Sequence, residues 1–457
     1  MEGGCAPVRI ESLQLYNQKC GPSPAADRVW GTLKCSRVLF SPCGTWMALV
    51  ISGEQPSLTQ EADVRRVREV ALHHATHGFQ LQARFYTGML QPHIAWSPSG
   101  HWCIAQLPGC QGEPDEKLPM QSAAFVWDPK AGELVHSLER KTSLDLCKLG
   151  AGSRMYAHWS PSCRYLLVHG CHAHSSQTTG TRPGWLSIAD LEQGRLIVQS
   201  ALVSKPDFWR LPIRIEWHPS SQGLIFEGHT HIEDASVFAA AGFAIGKLAE
   251  PLRLHRVGFS TDAEHLIAQH QRRGTSPIVS VVVHCSLEGQ QICLVESEAL
   301  LELKPHESLD VVGWLPGTTA LFMQHQFPLR QFSNIVKVIG APVEAYSLAS
   351  RLHFDTISPS GRMHLMTSRA QKDLRFWLVE VSSHCKCFDS FKVGPPWYKG
   401  RCEEYLEPEC GRPPGYAQHG LVCHGWVPTG LGLACTTYKP ASLDGPQPPT
   451  LHFYWFA

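Results

Sequence analysis

The chain has 457 residues, 43% of them apolar and 18% charged, enough apolar surface for a large core. Forty basic residues balance forty acidic ones, which excludes a global field able to hold DNA or an anionic membrane. The seventeen cysteines include no CxxC pair and no framework spacing, and the N-terminus MEGGCAPVRIESLQ lacks an apolar stretch of signal-peptide length. These features point to an intracellular home, cytoplasmic or nuclear. The longest apolar run, within residues 235–246, is too short to span a bilayer.

Residues 6–18 (APVRIESLQLYNQ) alternate as a strand with no neighbouring partner. From residue 38 onward one pattern recurs: an apolar strand ending in an aromatic residue, a Ser-Pro-x-Gly turn, and a second apolar strand. Residues 93–107 (HIAWSPSGHWCIAQL) show it best, with Pro98 fixing φ and Gly100 accepting a left-handed backbone. Related segments are 38–50, 157–170 and 215–228; weaker ones are 257–270, 312–325, 355–368 and 424–437. Their anchors are Phe40, Trp96, Trp159, Trp217, Phe259, Trp314, Ile357 and Trp426, spaced 42 to 69 residues apart. Further strand pairs follow at residues 122–139, 184–202 and 277–300, and from residue 374.

Four strands per repeat at this period predict an all-β fold, a β-propeller of eight four-stranded blades, with seven as the alternative. The last repeat ends at residues 450–457 (TLHFYWFA), which supply its third strand. The N-terminal strand is expected to close that last blade and remove an exposed edge. A single propeller domain over residues 1–457 follows.

The turn pattern resembles the WD40-like repeats of the TolB type, and is similar to the propellers of eukaryotic initiation factors. The likeness covers nearly the whole chain and implies the propeller fold; it is nearly silent on function. Cys43, Ser99 and Ser360 stand where that family places the Asp of Ser-Pro-Asp-Gly, so no Asp-based turn hydrogen bond is carried over.

Length variation falls between the second and third strands of each repeat. Residues 53–78 are expected to be a loop insertion with a short helix, since Val64, Val67, Val70 and Ala71 fall at helical spacing opposite Arg65, Arg66 and Arg68. Residues 394–418 read as a long Pro/Gly/aromatic loop between the seventh and eighth repeats. Loops also gather histidine and arginine: His73, His74 and His77, then His172, His174, His229, His231, His270, Arg272, Arg273, His325 and Arg330. The candidate binding set is His172, His174, His229, His231, His270, Arg272, Arg273 and Arg330 on this face, with Trp397 and Tyr398 as aromatic anchors. Three or four ligands must converge to hold a metal, and solvated loop histidines are the plainer reading, so neither metal nor cofactor is expected.

The sequence contains no GxSxG, HExxH, P-loop or Rossmann glycine pattern. The leading expectation is therefore a non-enzymatic interaction scaffold that binds a protein or peptide partner on the loop-rich face. The alternative is a propeller enzyme with a site at the channel mouth, where Asp310, Glu216 and His158 lie at or near innermost strands. A ribosome-linked propeller is a third reading, carried only by the initiation-factor likeness.

Overall fold

The computed structural model describes residues 9–14, 33–56, 64–75, 79–88, 93–106, 124–128, 133–137, 154–171, 182–204, 214–228, 230–249, 252–270, 279–289, 291–301, 303–304, 307–315, 318–327, 331–340, 343–346, 352–357, 363–368, 375–380, 387–392, 420–428, 432–438 and 450–455. Ahead of the repeats stands β1 (Arg9–Gln14). The first repeat is β2 (Leu33–Phe40), β3 (Trp46–Pro56), β4 (Val64–His74) and β5 (Gln80–Gly88). The second is β6 (His93–Trp96), β7 (Cys103–Gln106), β8 (Ala124–Asp128) and β9 (Glu133–Ser137). The third is β10 (Arg154–Trp159), β11 (Tyr165–Cys171), β12 (Arg182–Asp190) and β13 (Arg195–Ser204). The fourth holds β14 (Ile215–Trp217), β15 (Gly223–Phe226), β16 (Thr230–Ile232), a short helix α1 (Ser236–Ala240) and β17 (Ala244–Lys247). The fifth is β18 (Leu252–Phe259), β19 (His265–His270), β20 (Val279–Glu288) and β21 (Gln291–Ala299). The sixth is β22 (Ser308–Trp314), β23 (Ala320–Phe327), β24 (Gln331–Val338) and β25 (Val343–Tyr346). The seventh is β26 (Leu352–Ile357), β27 (Met363–Ser368), β28 (Arg375–Glu380) and β29 (Cys387–Lys392). The eighth is β30 (Gly420–Val427), β31 (Gly432–Tyr438) and β32 (Thr450–Trp455).

The described chain is thus almost wholly β. The first, second, sixth and seventh repeats each form a four-stranded sheet in sequential order, the up-and-down meander from which propeller blades are made. The sheet of the eighth repeat runs β1-β32-β31-β30, with Arg9 opposite Trp455 and Gln14 opposite Thr450. The N-terminal strand therefore supplies the missing fourth strand, as its alternation predicted. By contact density the chain divides into two compact units. One comprises Met1–Met89, Gln324–Val336 and Val343–Ala457; the other comprises Leu90–Met323 and Lys337–Pro342.

In the first unit the core joins the first and eighth repeats: Met47, Leu49, Ile51 and Ala71 pack with Ala434, Leu451 and Phe453. Phe79 stacks on Phe453 at 4.3 Å between ring centroids. Among the described residues of 53–78 the expected helix is not formed. Val64–His74 is strand β4, paired residue by residue with β3 from Pro56↔Val64 to Trp46↔His74. Its β-branched valines suit a pleated strand, and Val70, Ala71 and Leu72 are buried there. A three- to four-residue apolar spacing over so short a stretch fits both periods, and cross-strand pairing decides.

In the second unit the same turn recurs in five-residue form. Ser97 and Ser160 each accept through Oγ the backbone N–H five residues on, at 3.0 and 2.9 Å, and Ser260 does so at 3.0 Å. Ser41 of the first repeat makes the same bond to Trp46. The fourth turn position is left-handed in the first five repeats: Gly44 and Gly100 have φ of 70° and 72°, while Cys163, Ser221 and Ala263 adopt 63°, 62° and 66° without being glycine. Two of those non-glycine residues bond to the preceding repeat. Ser99 N–H donates to Cys163 Sγ at 3.2 Å, and Ser162 N–H donates to Ser221 Oγ at 2.8 Å.

The anchor tryptophans link repeats as well. Trp159 Nε1–H donates to the Ala95 carbonyl, Trp217 to that of His158, and Trp314 to that of Gly258, each at 3.1 Å. In each case the acceptor directly precedes the anchor of the earlier repeat. First strands of successive repeats are thereby fastened side by side. One expectation about the turn needs correction. In the fifth repeat Asp262 occupies the Asp position, accepts from the Ser260 hydroxyl, and takes the Glu264 N–H at 3.0 Å. Elsewhere Ser99, Ser162 and Ser220 stand in, each accepting the backbone N–H two residues on.

Candidate functional site

The fourth repeat breaks the meander, and the break frames the site. β14 and β15 form the usual hairpin, but β16 leaves to pair with β13 of the third repeat. After α1 the chain returns as β17, which lies parallel to β15 and meets β21 of the fifth repeat at Ile245↔Gln291. This close approach needs glycine. A Cβ on Gly223 would sit 2.6 Å from Ile292 Cδ1, and one on Gly246 would sit 2.9 Å from Ile292 Cβ. The fourth and fifth repeats consequently share one seven-stranded sheet.

Alternation along β14 sends residues to opposite faces. Ile215 and Trp217 join Leu224 and Phe226 in the core shared with the third repeat. The other face carries Arg214, Glu216 and His218, with Ile225 opposite Glu216 and packed with Leu252 and Leu254 of the fifth repeat. The Glu227 N–H donates to the Arg214 carbonyl at 3.4 Å, which extends the hairpin by one pair and brings Glu227 onto the same face.

Leu254 on β18 clamps that pair. Its carbonyl accepts from Arg214 Nη1 at 2.6 Å, and its N–H donates to the Glu227 carboxylate. Arg214 Nε lies 3.9 Å from Glu227 Oε1. Arg253, 8% exposed, adds a second guanidinium whose charge acts on Glu227. Two carboxylates and two guanidinia are thus gathered where the fourth repeat meets the fifth, and the Arg214 side chain is 33% exposed against 10% for Glu227.

Burial dominates the acids. It pushes the Glu216 carboxyl up from 4.5 to about 7, against the pull of Arg214. It pushes Glu227 to about 7 as well, against Arg253, Arg214 and the Leu254 amide, with Glu216 adding to the rise. Burial also draws Arg253 down, and Glu227 opposes that. Acids poised near neutrality beside fixed cations are able to exchange protons with a substrate and to orient its polar groups.

Of the sequence-predicted residues, Glu216 belongs to this cluster. His158 lies on β10, with its Nε2 3.2 Å from His169 Nε2 and the two imidazoles stacked. Asp310 is on β22. His231 is exposed on β16, 3.2 Å from Lys247 Nζ, and His270 ends β19. His172, His174, His229, Arg272, Arg273, Arg330, Trp397, Tyr398 and the loop 394–418 lie outside the described residues. His73, His74 and His325 are in strands rather than loops. His73 Nδ1 sits 2.8 Å from the Phe79 carbonyl, and His74 meets Trp46 edge to face.

Among the described residues one group of metal-type donors converges, Asp262, Glu264 and His265, within 4.8 Å of one another. It belongs to the fifth turn, where Asp262 is already an acceptor twice over. Cys43, Cys103, Cys163, Cys285 and Cys293 are free thiols. No helix among the described residues is long and apolar enough to cross a membrane.

Neither a protein-family model nor a curated protein matches the chain. Solved structures do. The β-propeller domain of the trilobed protease from Pyrococcus furiosus is similar at 11% identity and a TM-score of 0.45, over 93% of this chain and 94% of that one. Prolyl oligopeptidase B from Galerina marginata is similar at 8% identity and 0.42, over 90% of this chain and 47% of its own. TolB from Acinetobacter baumannii gives 11% and 0.30, over 81% and 65%. At these scores the likeness carries no argument about what this chain does. The expectation of a non-enzymatic scaffold is the one these names stand against, since two of the similar structures are a protease's propeller domain and a prolyl oligopeptidase.

Proposed function

We propose that the chain is an eight-bladed β-propeller of the WD40-like, TolB type, and that it is an enzyme using the carboxylate–guanidinium cluster of its fourth and fifth repeats. Glu216 is the proton-transfer residue, because its carboxyl titrates near 7, in the range where a general acid–base works best at neutral pH. Arg214, the more open guanidinium, binds the oxygen on which charge develops. Glu227 is a positioning residue beside Arg214, which Leu254 also holds, and Arg253 adds its charge on Glu227. The observation that carries this reading is the gathering of two raised carboxyls, Glu227 buried and Glu216 half-buried, with two guanidinia on first-strand hairpins.

Peptides are the substrate class to test first, since peptidases are among the proteins the fold resembles. Purified protein is incubated with a panel of fluorogenic peptides from pH 5 to 9, beside Glu216→Gln. The expected result is turnover with a limb near pH 7 and a loss of about 100-fold or more in the variant. Equal turnover by the variant, or none by the parent across the panel, contradicts the assignment.

A further inference from the structure

The turn of the fifth repeat carries donor atoms that its fold does not need. We propose that Asp262, Glu264 and His265 form a binding site for one divalent transition-metal cation of the Zn²⁺ class. The site is separate from the Glu216–Arg214 cluster and independent of that cluster's role.

The same turn is built elsewhere without these groups. Where the fifth repeat has Asp262, Glu264 and His265, the second has Ser99, His101 and Trp102, and the third has Ser162, Arg164 and Tyr165. All three turns close alike. The N–H of Ser97, Ser160 or Ser260 donates to the carbonyl five residues on at 2.8 to 2.9 Å, and the same serine's hydroxyl accepts the returning amide. A serine therefore does for this turn what one oxygen of Asp262 does. The second oxygen of Asp262, the Glu264 carboxylate and the imidazole are surplus to it.

Those surplus donors converge. Both turn bonds to Asp262, from the Ser260 hydroxyl and the Glu264 N–H, fall on Oδ1. They fix the carboxylate and leave Oδ2 facing His265 Nδ1 at 3.7 Å. That is too long for a hydrogen bond. It is close to the roughly 3.4 Å that separates two donors on one tetrahedral ion with bonds of about 2.1 Å. Nδ1 is buried and meets no hydrogen-bond partner among the described residues. A buried nitrogen left so calls for a partner, and a cation held by the flanking carboxylates supplies one. The Glu264 carboxylate completes the group, with all three donor atoms within 4.8 Å of one another.

The surroundings hold the donors in place. Cys285 N–H donates to the Glu264 carbonyl at 2.7 Å, and Thr261 Oγ1 donates to the Thr318 carbonyl of the sixth repeat at 3.0 Å. His284, directly across on β20, meets the His265 ring edge to face with centroids 5.5 Å apart. The Asp262 side chain is 33% exposed and Glu264 is exposed, so an ion reaches the group from solvent and water fills its fourth position. One imidazole nitrogen with two carboxylate oxygens suits Zn²⁺ and its neighbours better than the all-oxygen shells of Mg²⁺ and Ca²⁺. Bound there, the cation offsets the charge of both carboxylates and stiffens a turn that docks on the sixth repeat.

The test is a Zn²⁺ titration of the chelator-stripped full chain by isothermal calorimetry, beside Asp262→Ser and His265→Tyr. Each variant carries the residue of the third repeat's own turn, Ser162 or Tyr165, so the turn is kept while a ligand is lost. Cysteines and the other histidines are common to all three proteins, and the difference isolates the site. The parent is expected to bind one Zn²⁺ that each variant binds at least about tenfold more weakly. Titrations that coincide for all three leave an Asp262–His265 ion pair only and overturn the proposal. Should the variants fail to fold, the His265 ring nitrogens of the parent are followed by NMR as Zn²⁺ is added. A shift of Nδ1 supports the site, and an unchanged Nδ1 overturns it.

Discussion

The third and fourth repeats begin alike, with a tryptophan anchor, a Pro-containing turn and a left-handed fourth position, and then part. The third runs on as a regular meander, and its acid is fully engaged. Asp190 accepts Arg164 Nε at 3.1 Å and Nη2 at 2.8 Å, along with the amides of Glu192 and Gln193. Burial pulls its carboxyl upward, but those donors outweigh it and hold the group below its ordinary value. The fourth repeat gives up its outer strands to neighbours, and its acids are driven upward instead. Asp190 stays below its usual range because four donors meet it, while burial outweighs the cations that face Glu216 and Glu227 and carries both above theirs. Their pH signatures are opposite too: the Asp190 contribution is lost in acid, as pH falls through its depressed pKa, while the Glu216/Glu227 contribution is lost as pH rises from 4.5 to about 7.

Trp217 is the point where the two repeats meet. It is 6% exposed, donates to the His158 carbonyl, and packs on Tyr165 and Phe243. Trp217→Ala is expected to cost about 3–5 kcal/mol in chemical denaturation, and a loss below about 1 kcal/mol would show the repeats to be independent. Gly223→Ala acts on the irregular repeat alone. Its new Cβ meets the end of the Ile292 side chain at 2.6 Å and the Ala244 carbonyl at 3.1 Å, so a loss of about 1–3 kcal/mol is expected as Ile292 shifts. Unchanged stability would mean that β17 has room to move off β15. Ser160→Ala removes the turn bond of the regular repeat and leaves its strands in place, for a loss of about 1 kcal/mol.

Much of the fold was legible because its signals are local. The Ser-Pro-x-Gly turns, the tryptophan anchors and the N-terminal strand each declare themselves within a short window, and β1 pairs with β32 as its alternation required. Glu216 was legible as a residue at or near an innermost strand, beside the Trp217 anchor. Its partners were not legible. Glu227 reaches the site through one extra hairpin pair, and Arg253 and Leu254 come from the next repeat. β4 was misread as helical because its valines fit two periods, and pairing with β3 chose between them. The merged sheet of the fourth and fifth repeats had a faint signal in Gly223 and Gly246, whose missing side chains make room for Ile292.

The central claim is that the two glutamates of the fourth repeat hold their protons to near-neutral pH. Carbon-13 labelling of glutamate carboxyls, with assignment by Glu216→Gln and Glu227→Gln, measures it directly by NMR titration. Two coupled resonances with midpoints near 7 are predicted. Midpoints at the ordinary 4.5 for both would contradict the account and remove the proton-transfer role of Glu216.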